Sequence, residues 1–399
     1  MIQWPRVARR TAKTLFSLAW LVLDTLALGR RVPVQTRTLL IVKTDALGDY
    51  LLFRNFLADI RNSEKFRAWQ ITYLGWSACR ELALSFDQDQ VDDFIWIDRT
   101  AFMRRPSVRW SVMRRLRQRG FEVVFNPCSQ RDLAVLDSLV RASAAPQRIG
   151  CGGDSVNRTW LDCLLGDCWY TALHRLGADT FFEFERNRAM VRYLLGQQPQ
   201  RRRPELAVIP AARVRSRTVL VFPGARHPRR QWPAERMAKL IDRMHRSYGV
   251  RVVLCGGPAE QDLAADVAAR SNGPAPEDLA GRTTFAQLAE LIAQSSLVIA
   301  GDSGPLHLAA AMDAPLICLS TANQLFRFTP YPQGMLSNAE FVFPPQVACR
   351  WNEPAALRSE YGEYSDIDAA DIPLDLVWAA VQRSLLRVHL IEQASLNGP

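Results

Sequence analysis

Three groups of side chains in this 399-residue chain have the types and spacing to do chemistry. The first is G-D-S-G-P-L-H, residues 301–307. Asp302 is placed to accept from ligand hydroxyls, Ser303 is a short donor, Gly304 lets backbone approach closely, and His307, one turn on, can reach a phosphate. The second is P-G-A-R-H-P-R-R-Q-W-P, residues 223–233, which sets Arg226, His227, Arg229 and Arg230 directly after an apolar run and suits a pyrophosphate clamp. The third is K-T-D-A-L-G-D, residues 43–49, where Asp49 follows Gly48 and offers a carboxylate for proton abstraction. Two lesser groups accompany them. Glu260, in G-G-P-A-E, is placed to hold ribose hydroxyls, and N-P-C-S-Q-R-D (126–132) offers Asn126, Gln130 and Arg131 to an acceptor. Each has a plainer reading: Asp302, Ser303 and Asp49 as helix caps, His307 as a packed ring, the arginines as a solvated loop.

These residues need elements that end where they stand. Residues 297–300 are apolar without alternation, as in a parallel strand buried on both faces. Residues 301–304 make the turn, and Pro305 suits a first helical turn. The helix runs over 306–312 until Asp313-Ala314-Pro315 breaks it, and 316–319 is the next buried strand. Its turn opens at the carboxyl edge of the sheet, where ligands bind in open α/β sheets and a helix start attracts phosphate. Residues 38–42 form a similar strand followed by a helix over 50–60, with further strands at 70–74, 93–97 and 122–126. A second set begins with 218–222 and 251–255, with helices from Pro233, over 259–270, and over 285–294 capped by Thr283 or Thr284. The domains expected are a basic and apolar N-terminal helix (1–36), an α/β domain (37–200), a Gln/Arg/Pro-rich linker (201–217), a second α/β domain (218–373), and a closing helix and tail (374–399) that packs back on the first domain. The basic helix over 104–119, with Val108, Val112 and Leu116 on one stripe, reads as a solvated face. Asp87-Gln88-Asp89 reads as a solvated loop rather than a metal-binding D-x-D, because it follows a helical run. The glycines at 150–153 are preceded by no buried strand of adequate length and are not read as a phosphate loop.

Composition narrows the classes. Hydrophobic residues make up 48% and charged ones 23%, as in a globular chain of two domains. A net charge of +10 favours an acidic partner, and nucleic acid ranks last because no helix-turn-helix, RNP or finger signature is present. The eight cysteines show no C-x-x-C spacing, which implies reduced thiols and no structural metal. No G-x-G-x-x-G follows the first strand, which argues against an NAD or FAD site. The apolar run 15–28 is short of the roughly 20 residues that span a bilayer and is interrupted by Asp24. With Trp4, Lys13, Trp20, Arg30 and Arg31 around it, it reads either as an interfacial helix on an anionic membrane or as a helix packed on the protein itself.

Together, K-T-D-A-L-G-D-Y-L-L, F-P-G-A-R-H-P-R-R-Q-W-P, L-C-G-G-P-A-E and D-L-A-G-R-T-T followed by G-D-S-G-P-L-H-L-A-A-A resemble glycosyltransferase family nine, the bacterial lipopolysaccharide heptosyltransferase family, from about residue 38 to 320. The resemblance implies a GT-B architecture: two Rossmann-like parallel-sheet domains facing across a cleft, with the donor nucleotide on the C-terminal one. It implies an enzyme that moves a heptose, with inversion and without metal or cofactor, from ADP-heptose to a lipid-linked acidic glycan, a lipopolysaccharide core of the lipid A–Kdo type. The implied place is the cytoplasmic face of the inner membrane. By position, Asp49 resembles the family's general base, Asp302, Ser303, Gly304 and His307 its donor-diphosphate site, and Glu260 its nucleoside contact. Arg230 stands where many members have lysine. Residues 1–36 and those after 323 match poorly and, with 126–132, are expected to shape acceptor choice. Two other readings keep the fold: a different nucleotide-sugar donor for another cell-surface glycan, or a non-catalytic binding protein, against which Asp49 beside an intact donor motif speaks.

Overall fold

The structure, a computed structural model, describes residues 6–28, 32–153, 158–206 and 216–396. Trp4, Arg30, Arg31, the side chain of Lys13 and residues 207–215 of the expected linker lie outside what is described. The chain divides into two compact units between Arg202 and Arg203.

The first unit is built on six strands: β1 (Gln35–Lys43), β2 (Gln70–Trp76), β3 (Asp93–Ile97), β4 (Phe121–Asn126), β5 (Gln147–Cys151) and β6 (Ala172–His174). All pair in parallel, in the order β3-β2-β1-β4-β5-β6. The second has β7 (Ser216–Phe222), β8 (Arg251–Leu254), β9 (Glu277–Asp278), β10 (Ser295–Gly301), β11 (Leu316–Leu319) and β12 (Ala339–Val342), also parallel, in the order β12-β11-β10-β7-β8-β9. Each unit thus repeats one doubly wound topology, with its strand order reversing between β1 and β4 and between β7 and β10. Leu39 to Val42 in β1 and Leu297 to Ala300 in β10 are buried because both faces of a central parallel strand are covered.

Several expectations need correction. Gly150 lies inside a short strand, β5 (Gln147–Cys151), which escapes a pattern search because the exposed Gln147 and half-buried Arg148 open it. Gly150 is required by its neighbour: a Cβ there would lie 2.3 Å from the Tyr170 ring. The helix expected over 50–60 is two, α2 (Leu47–Leu51) and α3 (Asn55–Arg61), broken where Arg54 turns inward. Arg54 grips Asp87 with Nη2 and Nε at 2.6 and 2.9 Å, and the Tyr50 hydroxyl donates to the same carboxylate at 2.6 Å. Asp87 is therefore a buried ion-pair partner, not a solvated loop residue; burial raises its pKa, against the pull of Arg54 and Tyr50.

The basic helix, Pro106–Arg119, is not simply a solvated face either. Arg109 is fully buried between the rings of Trp20 and Phe102, at 4.9 and 4.5 Å. Its Nε and Nη2 donate to Asp24 at 2.7 and 2.6 Å, and its Nη1 donates to the Ala134 carbonyl. Asp24, the residue that interrupts the apolar N-terminal run, is what permits this: a guanidinium is buried only when paired. Helix α1 (Arg6–Ala27) is thereby docked on the first unit through Ser17, Trp20 and Asp24. The C-terminal helix, Leu374–Leu396, belongs to the second unit rather than the first. Val377, Ala380, Val381 and Leu385 share a core with Leu297, Ile317 and Val342, because this apolar stripe covers one face of the second sheet.

Candidate functional site

In the second unit the loops after β7, β8 and β10 converge at the carboxyl edge. Strand β10 ends at Gly301, and Ser303 is extended (φ −154°, ψ 178°) before the helix Gly304–Ala311, which has proline in its first turn. The Ser303 hydroxyl donates to the Gly301 carbonyl at 3.2 Å and does not cap the helix. The first N–H groups of that helix, Gly304 onward, have no intrahelical acceptors and suit an anion.

Asp302 is buried and given over to Arg230, whose Nη2 lies 3.1 Å from its carboxylate and also donates to its main-chain carbonyl. Asp302 therefore holds the arginine in place rather than standing open to ligand hydroxyls. Burial raises its pKa, and Arg230 counters that. His307 is 3% exposed, with Nδ1 2.8 Å from the Tyr331 hydroxyl and its ring edge-on to Phe328. Burial, reinforced by the Arg230 charge, lowers its pKa to about 3. The imidazole is therefore neutral, a hydrogen-bonding group rather than a cation, and its tautomer follows from which of Nδ1 and the Tyr331 hydroxyl donates.

Arg226, His227 and Arg229 are exposed on a loop fixed at both ends. Gln231 donates to the Ala225 carbonyl at 2.9 Å, and buried Trp232 donates to the Ile372 carbonyl at 3.0 Å. Arg229 also donates to the Asp366 carbonyl. Glu260 accepts from the Gly257 N–H at 2.7 Å, and its stem fills the space a side chain at 224 would need: a Cβ on Gly224 would lie 2.1 Å from its Cγ. Glycine after β7 thus lets the Glu260 loop close on the arginine loop.

In the first unit, helix α2 starts at Leu47 with Ala46 as its N-cap, and no side chain caps it. Gly48 and Asp49 are therefore within the first turn, and the N-cap reading of Asp49 does not hold. A carboxylate there is favoured by the helix dipole. Asp49 is half-buried in that first turn, shortly after β1 ends at Lys43. Beneath it is a group that sequence inspection missed. The Lys43 ammonium, its side chain 1% exposed, lies 2.9 Å from Asp45, 3.9 Å from Glu183 and over the Phe53 ring. The Cys128 thiol donates to Asp45 at 3.0 Å. Burial opposes the charge on Lys43, but Asp45, then Cys128, Glu183 and Asp49, hold its pKa above the ordinary value. The available signal was a lysine ending an otherwise apolar strand, L-L-I-V-K.

The expected acceptor contacts fare differently. Asn126 is fully buried, donating to the Tyr170 hydroxyl at 2.8 Å and accepting from the Cys128 N–H. Arg131 is fully buried too, its guanidinium 4.3 Å from the Tyr170 ring centre, ion-paired with Asp137 and hydrogen-bonded to Asp167. Both stabilise the interior of the unit and neither is presented to an acceptor. Only Gln130 of that trio is half-buried at the loop surface. Within this network burial pushes Asp137 up to about 6, against Arg131 and Arg158.

Comparison with known proteins agrees with this architecture. The chain is 36% identical over 120 residues to lipopolysaccharide heptosyltransferase 3 of Escherichia coli, and covers 30% of its own length and 35% of that relative's. Its fold matches the crystal structure of a glycosyl transferase family 9 protein from Veillonella parvula (TM-score 0.67, 18% identity, 90% of this chain and 99% of that one). It also matches E. coli heptosyltransferase WaaC with ADP-2-deoxy-2-fluoro heptose (TM-score 0.62, 18% identity, 87% and 99%). These likenesses establish the GT-B fold. Residues 109–338, more than half of the chain, match the model of glycosyltransferase family 9 (heptosyltransferase). The chain belongs to glycosyltransferase family 9, the heptosyltransferases.

Proposed function

We propose that this protein transfers a heptose, with inversion and without a metal ion, from ADP-heptose to a lipopolysaccharide core acceptor of the lipid A–Kdo type at the cytoplasmic face of the inner membrane. The observation that carries this reading is the Asp302-held Arg230 beside the start of the helix Gly304–Ala311. It is a cationic, N–H-rich place for a nucleoside diphosphate at the sheet edge where such ligands bind. The relative solved with an ADP-sugar analogue is in keeping with that donor.

In the proposed reaction an acceptor hydroxyl gives its proton to Asp49 while its oxygen forms a bond to the anomeric carbon. The bond from that carbon to the diphosphate oxygen breaks, and ADP departs with the electron pair. Arg226, Arg230, neutral His307 and the amides from Gly304 onward stabilise the charge that develops on the diphosphate. Glu260 holds the nucleoside end. Lys43, kept cationic beneath Asp49, favours the ionised carboxylate that a base must be. Release of ADP from ADP-heptose in the presence of a heptose-deficient lipopolysaccharide core tests the reading. No release with that acceptor, but release from another nucleotide sugar, would move the donor assignment.

Two consequences are measurable on the donor side. Arg230→Ala removes the charged hydrogen bond and leaves Asp302 buried without its partner, so donor binding weakens by about 1.5–3 kcal/mol. Arg230→Lys restores charge but not the planar fork and recovers part of it. Isothermal titration with ADP reads both, and unchanged affinity in both removes Arg230 from the site. Transfer is also expected to persist in excess chelator. Cationic side chains serve the leaving group, and the carboxylate of Asp87, the first acid of the D-x-D, is committed to Arg54 and Tyr50. Full loss on chelation, restored by Mn²⁺ or Mg²⁺, would reverse that assignment.

A further inference from the structure

Helix α1 has two faces. The inner one, Ser17, Trp20 and Asp24, is clasped by the first unit. On the outer one Leu15, Phe16, Val22 and Leu23 stand exposed, Leu15 at 63% and Val22 at 65%, at the spacing of a single helical stripe. A second apolar pair stands on the short helix Trp160–Asp167, where Trp160 is 77% and Leu164 62% exposed one turn apart. That helix is fixed by a capping box between Thr159 and Asp162, which sets Trp160 outward at its first turn. The two elements are joined. Both pack on residues 133–137, and the Arg141 guanidinium donates to Thr25 of α1 at 2.7 Å while lying over the ring of Trp169, just after the second helix.

We infer that these two helices form one membrane-docking surface, which seats the first unit on an anionic lipid bilayer. The proposal deepens the reading of a lipid-linked acceptor and rests on it only for its purpose. Charge selects the occupant. The first eight residues of α1 include Arg6, Arg9, Arg10 and Lys13, and its single acidic residue, Asp24, is neutralised inside by Arg109. Arg104 and Arg105, exposed one turn before Arg109, add to the same sign. On the second helix Asp162 is tied to Thr159, and Asp167 to Arg131 and Arg158. A second copy of the chain on this face would bring like charges together, whereas acidic headgroups complement them. Among the described residues no helix is long and apolar enough to cross a membrane, so α1 is suited to lie in the interface, with the exposed Trp160 of the second helix at the boundary.

Flotation of the full chain with vesicles of phosphatidylglycerol and phosphatidylcholine, against phosphatidylcholine alone, tests this without donor or acceptor. Binding is expected to the anionic vesicles, weaker in high salt, and reduced about tenfold or more by Phe16→Glu with Val22→Glu and, separately, by Trp160→Glu with Leu164→Glu. Should a glutamate pair unfold the chain, as circular dichroism would show, Val22→Ala with Leu164→Ala is expected to weaken binding in the same direction. Full binding by either folded glutamate pair, or by the alanine pair in its place, overturns the two-helix surface, and equal binding to neutral vesicles overturns the charge argument. A dimer in sedimentation that the same substitutions dissociate assigns the face to a second copy instead. Vesicle binding in a chain that transfers no sugar would strike the transferase reading alone.

Discussion

Asp49→Asn is expected to lower kcat by about 10²–10⁴-fold, the usual worth of a positioned general base, and to leave ADP affinity nearly unchanged. A sugar hydroxyl is a poor nucleophile until its proton is leaving. Asparagine keeps the size and much of the hydrogen bonding of aspartate but cannot take that proton. The structure sharpens this test, because Ala46 and not Asp49 is the N-cap of α2, so loss of a cap cannot mimic loss of the base. Steady-state turnover with saturating ADP-heptose, alongside calorimetric ADP binding, separates the effects. Near wild-type turnover in a folded Asp49→Asn protein would falsify the base assignment and leave Asp49 as a helix-start carboxylate beside Lys43.

The second large effect concerns stability. Asp24→Ala removes the partner of a guanidinium that has no access to water, since both side chains are fully buried. Breaking such a pair from one side costs about 3–5 kcal/mol, because a buried charge is left uncompensated. For a unit of this size that corresponds to a fall in Tm of about 6–20 °C. Replacing both partners, Asp24→Leu with Arg109→Met, is expected to recover most of the loss, since an apolar pair of similar volume has no desolvation to offset. Thermal unfolding followed by circular dichroism decides it. An Asp24→Ala protein as stable as wild type would mean that α1 is not held by this pair.

Much of this fold is written in local pattern. Unalternating apolar runs such as L-V-I-A and L-L-I-V mark the central strands, because a parallel strand covered on both faces needs no polar side. Glycine, proline and aspartate after them mark the turns. The groups proposed for the donor side are legible for the same reason: Arg226, Arg230, Glu260 and Asp302 each follow a strand end, which a parallel sheet collects on one edge. The family pattern across those motifs adds the chemistry.

What local pattern does not carry is partnership between distant residues. Asp24 and Arg109 stand 85 positions apart, and each alone reads as a surface charge. Their burial is a property of the pair, as it is for Arg54 with Asp87. Arg131 and Asn126 sit at a strand end like the donor-side residues, yet Tyr170, from another segment, draws both inward. The short strands β5, β6, β9 and β12 have too few residues to show a period and exist because a neighbouring edge supplies their hydrogen bonds. Residue type and spacing determined which edge of each sheet collects the polar and charged loop residues. Only tertiary packing decided which charges there are committed to one another, because that depends on what each buried group finds within hydrogen-bond reach.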